Sequence, residues 1–361
     1  MKAVKSILQN VFTGASATTS VLLVLVAYSD HVAPAEHPFI GCIGMAFPLF
    51  LLINLLMLIV WLIVNWRRSW ISIAGFLLAL PAIRVYMPLH FHHDPPQGCL
   101  KVMSYNVDCY IMAKKLPETE MTIYEYLKQQ SADIVCLQED VMNPKDSIGD
   151  FSTLYAYNDT VHLGLRKKPV INAVGIHSRY PIVGKEVIPY ESVGNGSVAF
   201  YVKVGADTIL VINNHLESTH LSKKDRERYT DIISGDMNRQ EAEAGTRMLL
   251  GKLATAMGRR ARQAEAVHRY VESHKRYPMV VCGDFNDTPI SYVRRTMAQG
   301  LTDCFVESGC GLGFSYRRKG FFFRIDNILC SEHFEPYNCF VDNSMGASDH
   351  YPIVCWLKLK Q

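Results

Sequence analysis

An α/β sandwich preceded by about three transmembrane helices is the fold class this sequence predicts, and three observations predict it. From residue 100 onward, short apolar runs alternate with helix-patterned stretches. Those runs are β-branched and apolar on both faces, the composition of strands in a sheet covered on both sides. Ahead of them lies a segment with almost no charge.

That front segment is the extra that a chain of 361 residues, 49% of them hydrophobic, carries beyond one sizeable domain. From Val11 to Met87 its ionisable residues other than histidine are Asp30, Glu36, Arg67, Arg68 and Arg84. Three apolar stretches, Val11 to Tyr28, Phe39 to Val64 and Ile71 to Met87, each approach the ~20 residues that cross a hydrocarbon core of about 30 Å. Lys2 and Lys5 before the first stretch also fit a signal peptide, but further spans follow at once. Positive charge in the short loops sets the orientation: Lys2, Lys5, Arg67 and Arg68 mark the cytoplasmic side, whereas "SDHVAPAEHP" has neither Lys nor Arg. Three crossings then put everything after about residue 90 outside, in the periplasm or beyond the cell. Trp61, Trp66 and Trp70 bracket the inner boundary as interfacial aromatics do. The third stretch ends near Pro81 and Arg84, and if it lay in the interface the orientation would reverse.

The expected division is a membrane region over 1–90, a linker over 91–99 and a catalytic domain over 100–361. "LHFHHDPPQG" breaks any helix with its prolines and glycine, and its three histidines, without carboxylate or cysteine partners at the fixed spacing of a metal site, read as a solvated linker. The net charge of +3 neither requires nor excludes nucleic acid. Of ten cysteines, Cys136, Cys282, Cys330 and Cys355 sit inside strand-like runs, where a thiol behaves as a small hydrophobe. Cys304 and Cys310 flank a glycine-bearing turn, and a disulfide between them stays open.

Along the catalytic domain, "LKVMSYNV" leads into a helical "PETEMTIYEYLKQQSA" and then "DIVCLQED". "TILVINNHLES" leads into a long helical stretch over 222–276 whose mixed charge reads as a solvated face, followed by "YPMVVCGDFND", "FFFRIDNILC" and "YPIVCWLKL". Apolar strands here end in residues that ligate metals or move protons: Asn106, Glu139, His215, then Asp284 with Asn286. Asp349 and His350 open the final strand, and Asp326 lies inside another. A buried carboxylate is costly unless paired or metal-bound, so these interruptions call for one shared site. Hard oxygen donors without a zinc-spaced Cys/His set suit Mg²⁺ or Mn²⁺, which bind through few carboxylates plus substrate phosphate. On an extended backbone, Asp284 and Asn286 would project the same way.

At this point the sequence resembles the endonuclease/exonuclease/phosphatase superfamily of metal-dependent phosphoesterases. The resemblance spans roughly Leu100 to Leu359 and rests on "SYNV", "CLQED", "HSRYPI", "NNHLES", "CGDFNDTP", "RIDNIL" and "SDHYPI" in the family's order. It implies a four-layer α/β/β/α sandwich of two packed sheets with the site at one edge. It also implies that Asn106 and Glu139 bind the cation with Asp349 close by, and that Asp284 aligns or deprotonates the attacking water. Asn286 would hold the transition state, His350 would contact the scissile phosphate oriented by Asp326, and His215 would stabilise or protonate from the other side. Arg179 and Tyr180 would line the substrate side, or simply form a strand-end turn. For Asp326 a salt bridge with Arg324 stays open. His177 and His220 have no counterpart in the motifs and read as structural.

The substrate stays open among nucleic acid, lipid headgroups and small phosphorylated molecules. A membrane-anchored hydrolase and a non-catalytic member with a degenerate binding domain are both kept, the first favoured because every polar position of the motifs is filled. Arg317, Arg318 and Lys319 sit at an expected hairpin turn beside Phe321, Phe322 and Phe323, a pairing that fits phosphate binding with base stacking, contact with an anionic bilayer, or core packing. The bilayer and the phosphate ester are the expected partners; no protein partner is expected.

Overall fold

The computed structural model describes residues 2–117, 120–141, 149–163, 172–219, 221–318 and 321–360. Four helices come first: α1 (Lys2–Ala27), α2 (Pro38–Ile43), α3 (Phe47–Val64) and α4 (Trp70–Tyr86). Three stretches, Ser6–His31, Pro38–Val64 and Trp66–Tyr86, are long and apolar enough to cross a membrane. α1 packs on α3 and α4 through small and polar residues, as helices do where no hydrophobic effect drives them together. A Cβ on Gly75 would lie 2.9 Å from Ser20 Cβ. The Ser20 hydroxyl donates to Asn54 Oδ1 at 2.9 Å, and the Asn54 amide donates to the Thr19 carbonyl at 2.9 Å. Trp61 departs from its expected interfacial place: it is fully buried and its Nε1–H donates to the Ser16 hydroxyl at 3.1 Å. Trp66 and Trp70 are exposed.

Next come β1 (Leu100–Asn106), α5 (Ile123–Gln130), β2 (Ile134–Gln138), β3 (Tyr157–Leu163), β4 (Asn172–Ser178), β5 (Ile182–Ile188), β6 (Gly196–Val204) and β7 (Asp207–His215). α5 starts later than the sequence pattern suggests because Thr122 and Glu125 form a capping box there, and it stops at the left-handed Ser131. The chain continues through α6 (Lys223–Ser234), α7 (Arg239–Ser273), β8 (Met279–Asp284), α8 (Tyr292–Met297), β9 (Thr302–Asp303) and α9 (Cys304–Ser308). It ends in a hairpin of β10 (Tyr316–Arg318) and β11 (Phe321–Phe323), then β12 (Asp326–Cys330), β13 (Phe334–Val341) and β14 (Ile353–Leu359).

The strands form two six-stranded sheets, ordered β13-β14-β1-β2-β4-β3 and β5-β6-β7-β8-β12-β9. Each has one parallel pair near its centre, β1 with β2 and β7 with β8, among antiparallel neighbours. Alternation sorts the side chains into layers. Val102, Cys136, Val211, Cys282 and Ile328 fill the space between the sheets. Met103, Val135 and Leu137 face outward to Ile123, Tyr126 and Leu127 of α5. Leu210, Ile212 and Val281 face outward to Ala264, Val267 and Val271 of α7. The result is the four-layer α/β/β/α sandwich, and burying each large aliphatic or aromatic of these layers contributes roughly 1.5–3 kcal/mol. Cys136, Cys282, Cys330 and Cys355 are buried as small hydrophobes, and all ten cysteines are free, so Cys304 and Cys310 are not joined.

Candidate active site

Because β1 and β2 are parallel, as are β7 and β8, the carboxyl-terminal ends of all four strands meet at one edge of the sandwich. β14 runs antiparallel to β1 with Ile353 opposite Ser104, so the loop before β14 arrives at that same edge. β12 is antiparallel to β8 with Asp326 opposite Asp284, which puts its first residue there too. Asn106, Glu139, His215, Asp284, Asn286, Asp326, Asp349 and His350 are thereby brought together from stretches up to 244 positions apart.

Their contacts are dense. The Asn106 amide donates to Asp284 Oδ2 at 3.1 Å, crossing from one sheet to the other, and to Glu139 Oε1 at 3.3 Å. His215 Nε2 lies 3.7 Å from Glu139 Oε1 and 3.8 Å from Asp284 Oδ2. His350 Nδ1 is hydrogen-bonded to Asp326 Oδ2 at 2.9 Å, and its Nε2 lies 3.7 Å from Asp284 Oδ2. Asp326 therefore pairs with His350 and not with Arg324, whose guanidinium turns away to backbone carbonyls. Asp349 accepts a hydrogen bond from Arg318 Nε at 2.5 Å.

Asn286 does not continue the strand as the alternation argument expects. Its φ is +53°, so the chain turns immediately after Phe285, and contact with Asp284 comes from this turn: the Asn286 N–H donates to Asp284 Oδ1 at 2.8 Å. One residue before Asp284, Gly283 (φ +130°) lets β8 come close to β7, since a Cβ there would lie 2.0 Å from the Asn214 carbonyl oxygen.

Burial and charge set the protonation. Burial pushes the Asp284 carboxyl up to about 6, with His350 and His215 acting the other way and Asp326 adding to the rise. Burial disfavours charge on His350, but Asp326 and Asp284 outweigh it and carry the imidazole up to about 10. Burial likewise raises Glu139, yet His215, the Cys109 thiol, His350 and Asn106 hold its carboxyl below the usual range.

Residues 103–350 match the model of the endonuclease/exonuclease/phosphatase family. The chain belongs to this family. Residues 9–86 match a second model, described as a domain of unknown function. No curated protein matches the chain in sequence. Similar solved structures include an endonuclease/exonuclease/phosphatase family protein from Bacteroides thetaiotaomicron, at 17% identity over 74% of this chain and 100% of that one, with a TM-score of 0.49. D. rerio TDP2 complexed with a single-strand DNA product follows at 16%, 73%, 100% and 0.48. The human nocturnin catalytic domain with bound sulfate stands at 16%, 73%, 95% and 0.48.

Within this family member, two expected site residues do not join the others. β4 is antiparallel to β2, with Ser178 opposite Ile134. Arg179 is therefore level with Asp133, its N–H donating to that carbonyl at 3.0 Å. That is six positions before Glu139, roughly 20 Å at about 3.3 Å per residue. Arg179 pairs with Asp133 at the surface and Tyr180 packs against the inter-sheet core, so neither lines the substrate side. His177 is structural as expected, buried between Asn158 and Asp140. His220 and Lys319 lie outside the described residues.

Asp108 was not singled out by sequence reasoning, and it belongs here. It lines the same 240 Å³ cavity as Glu139, His215, Asp284, Asp349 and His350. Burial, followed by the charges of Asp349 and Glu139, pushes its carboxyl up to about 6. The only sequence signal was its offset of two from Asn106, and a left-handed backbone (φ +47°) is what turns it inward.

The family is typically divalent-metal dependent, and the donor set can be tested for fit. Asp284, Asp326 and His350 offer atoms within 4.8 Å of one another. Within that trio His350 Nδ1 is already hydrogen-bonded to Asp326 at 2.9 Å, so two of its three members pair with each other. Glu139, Asp108 and Asp349 are different: hard carboxylates around one cavity, two of which raise the third by repulsion. Arg318 pairs with Asp349 and lies 3.8 Å from Asp108, so Glu139 is the carboxylate of the three without an arginine partner; oxygen donors of this kind, with no thiolate among the residues lining the cavity, fit a hard divalent cation.

Proposed function

We propose that this chain is a divalent-metal-dependent phosphoesterase, held at a membrane by its amino-terminal helices, that hydrolyses phosphate esters by in-line attack of water. The observation that carries the reading is the gathering of Glu139, His215, Asp284 and the Asp326–His350 pair at one sandwich edge, around a cavity of 240 Å³. Mg²⁺ or Mn²⁺ bound by Glu139 with Asn106, Asp349 and Asp108 nearby would neutralise charge that develops on the phosphoryl group.

The other roles belong to the protein's own groups. Asp284, whose carboxyl titrates near neutrality at about 6, accepts a proton from the attacking water. Asn286 and Asn106 hold that carboxylate in place through their hydrogen bonds. His350, kept cationic by Asp326, donates to a phosphoryl oxygen as charge builds on it. His215, flanked by Glu139 and Asp284, stands on the opposite side to protonate or stabilise the leaving oxygen. Arg226 and Arg318, which line the cavity, are placed to receive the phosphate's remaining charge.

We infer the topology from the placement of charge on the helical bundle. Arg68 donates to the Gln9 carbonyl at 2.8 Å, so the positive loop and the start of α1 share one end of the bundle. Phe47 and Tyr86, with ring centroids 5.4 Å apart, mark the other end, where the sandwich is attached. We infer that the sandwich lies on the outer side.

The test is hydrolysis of bis-p-nitrophenyl phosphate by the full chain in detergent, with Mg²⁺, with EDTA, and for Asp284→Ala. The expected outcome is metal-dependent turnover that the substitution lowers by roughly 10² or more. Turnover that survives either EDTA or Asp284→Ala would overturn the assignment.

A further inference from the structure

The sandwich does not build the catalytic cavity alone, because one wall comes from the membrane region. Met45, in the turn between α2 and α3, lines the same cavity as Asp284 and His350. This turn is seated hard on the catalytic domain. A Cβ on Gly44 would lie 2.1 Å from the Ile290 carbonyl oxygen, and Cys42 Sγ lies 3.7 Å from Met257 Sδ of α7. The cavity lining is mixed as a result. Met45, Leu221, Leu253, Met257, Phe323 and Ile325 supply apolar surface beside the carboxylates, histidines, Arg226 and Arg318.

A second feature stands at the same level. The β10–β11 hairpin leads into Arg324, a fully buried arginine that donates to the carbonyls of Val85 and Tyr86 where α4 ends, and to Leu312 at 3.0 Å. The hairpin is thereby fastened to the outer end of the last spanning helix. On it, Phe323 points into the cavity while Phe322 is 55% exposed. Arg317 and Arg318 turn inward to the Gly346 carbonyl and to Asp349, which leaves the exposed Phe322, on a hairpin tied to the end of α4, as the residue placed to enter an interface.

We propose that the phosphate ester cleaved here is carried by a membrane lipid, whose headgroup enters the cavity between the Met45 turn and the β10–β11 hairpin while its chains stay against the apolar surface. This rests on the phosphoesterase reading above and names its substrate class. Water oxygen bonds to phosphorus, the ester P–O bond breaks, one water proton goes to Asp284, and the departing oxygen takes a proton from His215 to become the alcohol, after which Asp284 and His215 re-exchange protons with solvent. A nucleic-acid strand needs the cavity open along a groove, and the anchored turn closes one side of it. Two methylenes held against the apolar surface suffice for about a tenfold preference over a chain-free ester.

The experiment uses the full chain reconstituted in vesicles of phosphatidylethanolamine and phosphatidylglycerol, with and without added sphingomyelin or phosphatidic acid, and reads water-soluble phosphorus. Glycerophosphoethanolamine, glycerophosphoglycerol, glycerophosphocholine, glycerol 3-phosphate, a single-stranded oligonucleotide and bis-p-nitrophenyl phosphate are assayed beside it. At least one lipid should be cleaved about tenfold or more faster than its chain-free counterpart and than the oligonucleotide. Met45→Glu and Phe322→Glu should each lower that lipid-to-soluble ratio about tenfold; Phe322 is at the surface, so its variant tests the idea even where Met45→Glu disturbs folding. Equal or faster cleavage of the oligonucleotide or the chain-free esters, or a ratio that neither variant changes, overturns the lipid assignment. Loss of bis-p-nitrophenyl phosphate turnover in the unaltered protein instead sinks the phosphoesterase reading itself.

Discussion

Asp326→Asn isolates the charge that keeps His350 cationic. The two are hydrogen-bonded at 2.9 Å, both are buried, and the other charges facing the imidazole are Asp284 and Asp349, with the Tyr316 ring 5.0 Å away. An opposite charge this close typically shifts a pKa by roughly 1–3 units. Removing it should bring His350 from about 10 down to about 8, taking a shift of two units from that range. The sign follows from the role proposed for His350: with the protonated form active, activity is lost as pH rises through the folded value. At pH 9 the unaltered protein remains about nine-tenths protonated and the variant about one-tenth, whereas at pH 7 both are largely protonated. A profile of kcat/KM against pH on bis-p-nitrophenyl phosphate should therefore show an extra loss of about tenfold at pH 9 relative to pH 7. If the variant falls by one constant factor across the whole profile, with its alkaline limb unmoved, His350 does not act as a cation sustained by Asp326.

Asp284→Asn should stabilise the metal-free protein while it abolishes turnover. A carboxyl raised from 3.8 to about 6 costs the fold about 3 kcal/mol above pH 6, at roughly 1.4 kcal/mol per unit, and nothing below the unfolded value. Thermal melts in EDTA should thus show the variant ahead at pH 7.5 and level with the parent near pH 3.5. Arg324→Ala leaves the carbonyls of Val85, Tyr86 and Leu312 without their donor, at about 1–3 kcal/mol for each that stays dry. Limited proteolysis within residues 88–99 should accelerate, because the anchor then loosens from the sandwich. At Glu139, where φ is +55°, Glu139→Gly should be more stable than Glu139→Ala by about 1–2 kcal/mol, measured as denaturation midpoints; equal midpoints would remove the left-handed conformation from the account.

Most of the candidate site could be read from the chain because its residues end apolar runs, and a run that is buried on both faces must place its polar end at the sheet edge. What the runs do not encode is direction. "HSRYPI" looks like any other strand end, yet β4 is antiparallel to β2, and Arg179 and Tyr180 emerge at the far edge. Trp61 misled for a related reason. A tryptophan near Arg67 and Arg68 reads as an interfacial anchor until Ser16 on another helix supplies a buried acceptor for its N–H. Asp108 and the turn at Asn286 stayed hidden because both depend on positive φ in residues other than glycine, where sequence periodicity carries no signal.

Strand parity explains why so few special conformations were needed. Val102, Val211, Val280 and Ile328 face the space between the sheets, so residues an even number of positions away share that face. Asn106, His215, Asp284 and Asp326 all satisfy this count, and each points into the inter-sheet edge by simple continuation of its strand. Glu139 does not. Its strand sends Cys136 inward and Leu137 out toward α5, so an extended residue 139 would face the helix layer. The left-handed backbone at Glu139 redirects the carboxylate to Asn106 and His215. This left-handed residue, costing roughly 1–2 kcal/mol, thus brings in the one strand-end carboxylate that alternation would have turned away, as the positive φ of Asp108 and Asn286 does for the loop residues. The strain falls on the side chain assigned to the cation, the one group whose ligand would offset that cost.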